Sequence, residues 1–478
     1  MIGRLSIRQC WWVFLGLLAI SGGFLAVLSR YGTTFPFPLA PDEDFFIQAA
    51  HRLAHGESLR AQRFYVPLQS TVIALSLWGR AVGFEHLEGM RWFNRLLGVV
   101  AIWLLFALAR LWGIPPPFAF LACLWTSLDI FFQLTSNIVR GDLLCLVLTL
   151  LTLTFFTMAW TERHQGKLFL AGLFGVLTLS AHGYLPAGMI ALLSVTAILQ
   201  FRKRAWLWFL PFLIAASLWL GYAAGDWTTM AFQLREIASD FHIFLGIAAL
   251  LAKPLCATFS PNNAPLWVAV GGAVWLARRQ RLLNLAGWQI GAIGMAYLLA
   301  MLRPHDWYAG WFAPLGYLLT AALVASLFSA LNHREKAILL CLVFLWLGYQ
   351  TMRVAQYWQA KPQIARKHQR FFAELATMLP PKGVVALHAW PDPIFYLRRH
   401  RPDLRLHEWP GPLALTPSSA RFFRQMDALV LFETELKMME QKGVLPRYRV
   451  RRRWAVPLAP GGGLWLCLAE VQRTPERR

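Results

Sequence analysis

The chain carries one long apolar run after another. Stretches at 11–28 and near 92–112, 116–133, 142–160, 168–182, 184–201, 206–224, 264–278, 284–302, 311–330 and 337–356 approach the roughly 20 residues needed to cross a bilayer core of about 30 Å. A backbone inside lipid must satisfy its own hydrogen bonds, so these runs read as transmembrane helices. Apolar residues form 57% of the 478, which agrees with that class. The expected fold is an all-α polytopic membrane protein of about eleven crossings, followed by a small soluble α/β domain.

Basic residues set the expected sidedness. Arg4 and Arg8 precede the first run, which is longer than a usual signal-peptide core and closes on no A-x-A site, so it reads as an uncleaved anchor with a cytoplasmic amino terminus. If the eleven runs alone cross, Arg110, Arg163 with Lys167, Arg202-Lys203-Arg204, Arg278-Arg279 with Arg281, and Arg334 with Lys336 all fall on the cytoplasmic side. Counting Val66 to Val82 as a further span would place Arg202-Lys203-Arg204 outside. That stretch and Phe241 to Ser260 are therefore expected to lie in the interface. The formal charge of +22, from 46 basic and 24 acidic residues, punctuates apolar segments instead of forming one tract, so anionic lipid explains it better than nucleic acid. Six scattered cysteines show no C-x-x-C spacing and indicate neither a disulfide framework nor zinc.

From about Gln359 the character changes. Charges become frequent and the apolar runs shrink to strand length at Val384 to Leu387, Leu404 to Leu406, Ala428 to Leu431, Tyr448 to Ala455 and Leu464 to Leu468. Glu374 to Met378, Ile394 to Arg398 and Glu435 to Gln441 read as parts of helices. The expected division is a transmembrane domain at 1–357, with a first exported loop at 30–90, and an exported α/β domain at 358–478. Arg447, Arg449, Arg451, Arg452 and Arg453 alternate in part with Tyr448 and Val450, which fits a strand with one solvated basic face.

Chemistry is expected at the exported face. In a chain poor in carboxylates, Asp42, Glu43 and Asp44 stand side by side just beyond the first run, and packing alone does not ask for such a trio. The same face collects Asp129 to Asp142, Asp226 to Asp240 and Arg303-Pro304-His305-Asp306-Trp307-Tyr308. ATP and nucleotide sugars are absent there, and neither a G-x-x-x-x-G-K-[ST] nor a G-x-G-x-x-G pattern occurs, so an activated donor would most simply ride on a membrane lipid. Such a donor needs a carboxylate base, cations for the departing phosphate and an apolar groove for its tail. Asp42 and its neighbours, Arg91, Arg140 and Arg303, and the interfacial aromatics supply these types.

The stretch Pro41-Asp42-Glu43-Asp44-Phe45-Phe46, followed by Ala49-Ala50-His51-Arg52-Leu53 and Gly56-Glu57, resembles the first exported loop of the GT-C superfamily of membrane glycosyltransferases. Similarity is greatest to the branch of protein O-mannosyltransferases and the lipid A aminoarabinose transferase. Val66-Pro67-Leu68, Arg91 seven residues before Gly98, Ala109 to Gly113, Arg140-Gly141-Asp142, Ala171 to Gly175 and Trp307-Tyr308 with Pro314 follow in the order that group shows, covering most of 10–330. The resemblance implies a polyprenyl-phosphate sugar donor and inverting transfer to a lipid, glycan or protein acceptor. Asp42 would be the base, Glu43 its partner, and Arg91, Arg140 and Arg303 the phosphate contacts. The chain departs from the pattern in lacking His-Pro-Pro, in the third acid Asp44, and in His182-Gly183-Tyr184.

Blander readings stand beside these. An acid of the trio suits a helix amino terminus as a cap, and Asp44 is open to either role. Arg91 and Arg95, four apart on one helix face, also suit an anchor to lipid phosphates, and Arg140 with Asp142 suits a plain ion pair. Asp44, His305, Asp306 and Tyr308 are candidate acceptor or cation contacts, although Trp307, Tyr308 and Trp311 fit an interfacial belt. Mg²⁺ or Mn²⁺ assisting the acids is left open, because two residues are not a metal site. A transporter or flippase of a lipid-linked substrate, or a non-enzymatic assembly subunit, are the competing classes. Mid-span ionisable groups and half-repeats, which would favour a transporter, are not evident. A bacterial inner membrane, with the tail domain outside the cytoplasm, is the expected setting.

Overall fold

The computed structural model describes residues 7–32, 35, 43–57, 69–183, 185–223, 293–294, 306–389, 391–409, 419–455 and 465–472. The expected runs at 241–260, 264–278 and 284–302 lie outside these residues, save 293–294. The chain divides into two compact units, Met1–Thr33 with Phe46–Gln359, and Thr34–Phe45 with Ala360–Arg478.

The first unit is helical among its described residues. Its helices are α1 (Ile7–Gly32), most of α2 (Glu43–Ala54), α3 (Gln69–Val82), α4 (Leu87–Leu111), α5 (Pro116–Ser127), α6 (Ile130–Thr135), α7 (Asp142–Glu162), α8 (Gln165–Ala181), α9 (Ala187–Phe201), α10 (Trp206–Ala223), α11 (Asp306–Ala330) and the first part of α12 (His333–Met378). Local sequence sets several of the boundaries. Gly113, at φ +79°, ends α4 in a conformation that suits glycine, and Pro116 opens α5 where a missing N–H costs nothing. Arg163, left-handed at φ 55°, and His164, whose ring caps α8, turn α7 back into α8 in two residues. A side chain at Gly172 would run into the Trp208 backbone, so glycine there lets α8 and α10 approach closely.

Five described helices are long and apolar enough to cross a membrane: α1, α4, α7, α11 and α12. A sixth span is counted if Ala187–Arg204 and Trp206–Tyr222, bent by 114° at their junction, form one crossing. The chain is thus an integral membrane protein. The eleven expected crossings are not all matched, for a geometric reason. Helices α8 and α9 have 17 and 15 residues, about 26 and 23 Å at 1.5 Å per residue, short of the bilayer core. The 116–133 run is broken at Leu128 and Asp129, where the Asp129 carboxylate accepts the Phe132 N–H at 2.8 Å and starts α6. Burial grades the bundle: 78% of the most apolar window of α7 is enclosed but only 22% of that of α1 and 17% of that of α12, so α7 is central and the other two present apolar faces outward.

The second unit holds a five-stranded sheet of β1 (Val384–Leu387), β2 (Arg405–Glu408), β3 (Ala428–Phe432), β4 (Tyr448–Ala455) and β5 (Trp465–Val471), in the order β2-β1-β3-β5-β4. β1 pairs in parallel with β2 and β3, while β5 runs antiparallel to both β3 and β4. Alternate side chains enter two cores. Val385, Leu387, Val430, Leu466 and Leu468 pack with Leu375 of α12, with Leu379 just past its end, and with Ile394 and Leu397 of α13 (Ile394–His400). On the opposite face, Ala386, Leu429, Leu431, Cys467 and Ala469 pack with Phe423 of α14 (Ser419–Arg424) and with Leu436 and Met439 of α15 (Glu433–Gln441). The single basic face expected for β4 is not what forms. A bulge between Val450 and Arg452 breaks the alternation, so that Arg452 reaches Glu374 at 3.0 Å while Arg453 approaches Glu433 at 3.6 Å.

Candidate functional site

One end of the first unit gathers buried polar groups, because four helices end or begin there. The carboxyl ends of α1 and α8 meet the amino ends of α4 and α7. Arg91, Asn94 and Arg95 share one face of α4, three and four residues apart, and all three are fully buried. Arg95 donates from Nε to Asn137 Oδ1 at 3.0 Å and from Nη2 at 2.6 Å, while its guanidinium forks onto the Glu88 carboxylate. A side chain at Gly32, the last residue of α1, would collide with Arg95 and Asn137, so glycine admits the guanidinium. One turn along from Arg91, Asn94 Nδ2 donates to the carbonyls of Ile138 and Arg140, the latter at 3.1 Å.

Arg140 in turn holds Asp142, the first residue of α7, at 2.8 Å from Nε to Oδ2. His182, at the end of α8, places Nε2 3.6 Å from the other carboxylate oxygen. Thr71 of α3 donates to the Ala181 carbonyl at 3.3 Å beside it. Of the expected phosphate contacts, Arg140 is therefore tied by its carbonyl to Asn94, three residues along α4 from Arg91. Their guanidiniums cannot shed charge, and burial strengthens any attraction they offer an anion.

The acids form a second cluster, in the other unit. Glu43 and Asp44 open α2 and are fully buried, as their placement in a helix's first turn favours. Asp44 Oδ1 receives Arg398 Nη1 of α13 at 3.1 Å. Asp392 lies buried beside them and accepts the Ile394 N–H at 2.9 Å. Burial, and then the Asp44 charge, push the Asp392 carboxyl well above the usual carboxylate range. The Ile394 N–H and Arg398 oppose this, and Glu43 adds to it. The shift favours the protonated form of Asp392 beside the Asp44–Arg398 ion pair.

Asp42, Arg303 and His305 lie outside the described residues. Asp306 and Tyr308 fall in the first turn of α11. Sequence reasoning missed Asp392 and Arg398, which pair with the loop across some 350 positions of chain. It also missed the Asp129 network: Tyr317 of α11 donates to Asp129 Oδ2 at 2.9 Å, and Gln350 of α12 donates to the Tyr317 hydroxyl at 2.7 Å. The one local signal was the intrusion of Asp129 into an apolar run. Among the described residues no group of three or more His, Cys, Asp or Glu side chains is placed to hold a metal ion.

The fold is similar to that of solved membrane proteins. The chain superposes on ArnT from Cupriavidus metallidurans bound to undecaprenyl phosphate with a TM-score of 0.55 at 14% identity, covering 96% of this chain and 98% of that one. The apo state of that protein gives 0.51 at 13% identity, over 98% and 99%. An Archaeoglobus fulgidus oligosaccharyltransferase tethered with an acceptor peptide containing the NVT sequon gives 0.53 at 13% identity, over 92% of this chain and 69% of that one. No family model matches the sequence. A phosphatidylglycerol–prolipoprotein diacylglyceryl transferase of Rhizobium meliloti (strain 1021) is 28% identical over 257 residues, 49% of this chain and 84% of its own length.

Proposed function

We propose that this protein is a membrane glycosyltransferase that moves a sugar from a polyprenyl-phosphate donor to a lipid, glycan or protein acceptor at the exported face. The observation that carries the reading is the buried arginine cluster, Arg91 and Arg95 with the adjoining Arg140, on a fold shared over nearly its whole length with a protein crystallised with undecaprenyl phosphate. In the mechanism, Asp42 takes the proton of an acceptor hydroxyl or amine as it attacks the anomeric carbon, with Glu43 as its partner. The polyprenyl phosphate leaves from the opposite side and the carbon is inverted. Arg91 and Arg140, with Arg303, stabilise the charge that develops on the leaving phosphate. Asp142 and Asn94 serve this by fixing Arg140 through its guanidinium and its carbonyl.

A bacterial inner membrane, with the amino terminus inside and the α/β domain outside, completes the proposal. If so, the end of the bundle where α1 finishes faces the exported side, where lipid-linked sugars are presented. Purified protein in nanodiscs, incubated with labelled polyprenyl-phosphate sugar and envelope extract, is expected to release polyprenyl phosphate and label an acceptor. Movement of the lipid between leaflets, or binding without turnover, would contradict the reading.

A further inference from the structure

The sheet of the second unit has a feature that the transfer chemistry does not use. Its parallel half is doubly wound. From β1 the chain passes through α13, on one face, to β2 at the edge; from β2 it passes through α14, on the other face, to β3 on the far side of β1. Chain leaving β1 and chain leaving β3 therefore part to opposite faces, and in sheets of this kind the gap beyond the carboxyl ends of the two strands is where ligands bind.

A side-chain pair spans that gap. His388 follows β1 directly and its backbone N–H reaches the Val430 carbonyl of β3 at 2.9 Å. Its Nδ1 lies 2.7 Å from Oε1 of Glu435, in the first turn of α15 after β3. The second oxygen of Glu435 accepts the Phe432 N–H at 3.2 Å, so the carboxylate is buried and held at both ends. With Glu435 accepting from Nδ1–H, Nε2 is left with no hydrogen-bond partner among the described residues. The side chain is 30% exposed, and Phe432 packs its ring edge-on at 5.5 Å.

Charge selects the ligand class. A helix amino terminus attracts anions, but Glu433 and Glu435 occupy the first turn of α15, and Glu433 already engages Lys437 at 3.1 Å and Arg453 at 3.6 Å. A phosphate would meet two carboxylates. A hydroxyl that donates to Nε2, on a ring whose apolar face rests on Phe432, meets no such cost. We infer that this gap binds a neutral carbohydrate ring through His388, oriented by Glu435. Its identification with the sugar part of the acceptor rests on the transferase reading above; the binding does not.

The full-length protein in lipid nanodiscs tests this by saturation-transfer NMR, with methyl β-glucopyranoside and N,N′-diacetylchitobiose as probes and inorganic phosphate as the anionic counter-probe. Saturation of sugar ring protons is expected in the wild type. His388→Ala should weaken binding by about tenfold or more, Glu435→Gln by severalfold, and Arg449→Ala not at all. Should His388→Ala melt early, His388→Gln, which keeps a polar group of similar reach, decides the matter by weakening binding without loss of fold. Equal saturation in folded wild type and His388 variants, no saturation by either sugar, or a response to phosphate alone would each overturn the inference. No donor is supplied, so this experiment bears on the site alone; the transferase reading fails separately, if the labelled-donor assay gives no turnover.

Discussion

The two buried charge clusters solve the same physical problem in opposite ways. Around Arg95 the charges are permanent, and the structure surrounds them with fixed acceptors: the Asn137 amide and the Glu88 carboxylate. Around Asp392 burial, and then the Asp44 charge, push the carboxyl upward and favour its protonated form. A guanidinium cluster keeps its field at every physiological pH and suits a phosphate that must be held and released. A carboxyl cluster that can take up a proton suits a junction, here between the opening of α2 and the start of α13.

This contrast can be broken experimentally, beginning with the largest effect. Arg95→Met leaves the buried Asn137 and its Glu88 partner without a donor and is expected to cost about 3 kcal/mol or more, read as a lower melting temperature in detergent. Arg91→Met on the same face should lower transfer by about 100-fold, in line with losing one preorganised charge contact, and lower the melting temperature less than Arg95→Met does. Equal loss of fold in both variants would mean that Arg91 is structural too. Arg398→Met removes the cation on Asp44. Because Arg398 is itself partly exposed, the expected cost is only about 1–3 kcal/mol, measured by thermal unfolding at neutral pH.

The smallest effect sharpens the comparison through its sign. Asp392 has a folded-state pKa raised above its ordinary value, so its contribution to stability is fully present below about pH 4 and is lost as the pH rises through the folded-state value. Acidification from neutral pH towards that range should therefore raise the melting temperature of the wild type by a few degrees more than that of Asp392→Asn. Parallel pH profiles would show that Asp392 is not held neutral.

Legibility in the sequence followed the range of the interactions. The strand at Ala428–Phe432 and the helix at Ile394–His400 were readable, because apolar periodicity is local and both bury side chains in one core. The membrane helices α4, α7 and α11 were readable for the same reason. The break at Asp129 was not, because it depends on Tyr317 and Gln350, which come from helices far along the chain. The arginines of β4 looked like one face until the bulge at 450–452 shifted the register, and a bulge has no compositional signature here. At the site, the scarcity of carboxylates singled out Glu43 and Asp44, whereas their burial and the Arg398 partner of Asp44 were invisible: Arg398 lies in a short helix far along the chain.

The most direct test concerns the acid that precedes the buried pair. In nanodiscs supplied with labelled polyprenyl-phosphate sugar, Asp42→Asn should keep the wild-type melting temperature and lose transfer by about 1,000-fold, the range expected when a general base is removed. Undiminished transfer by that folded variant would contradict the account.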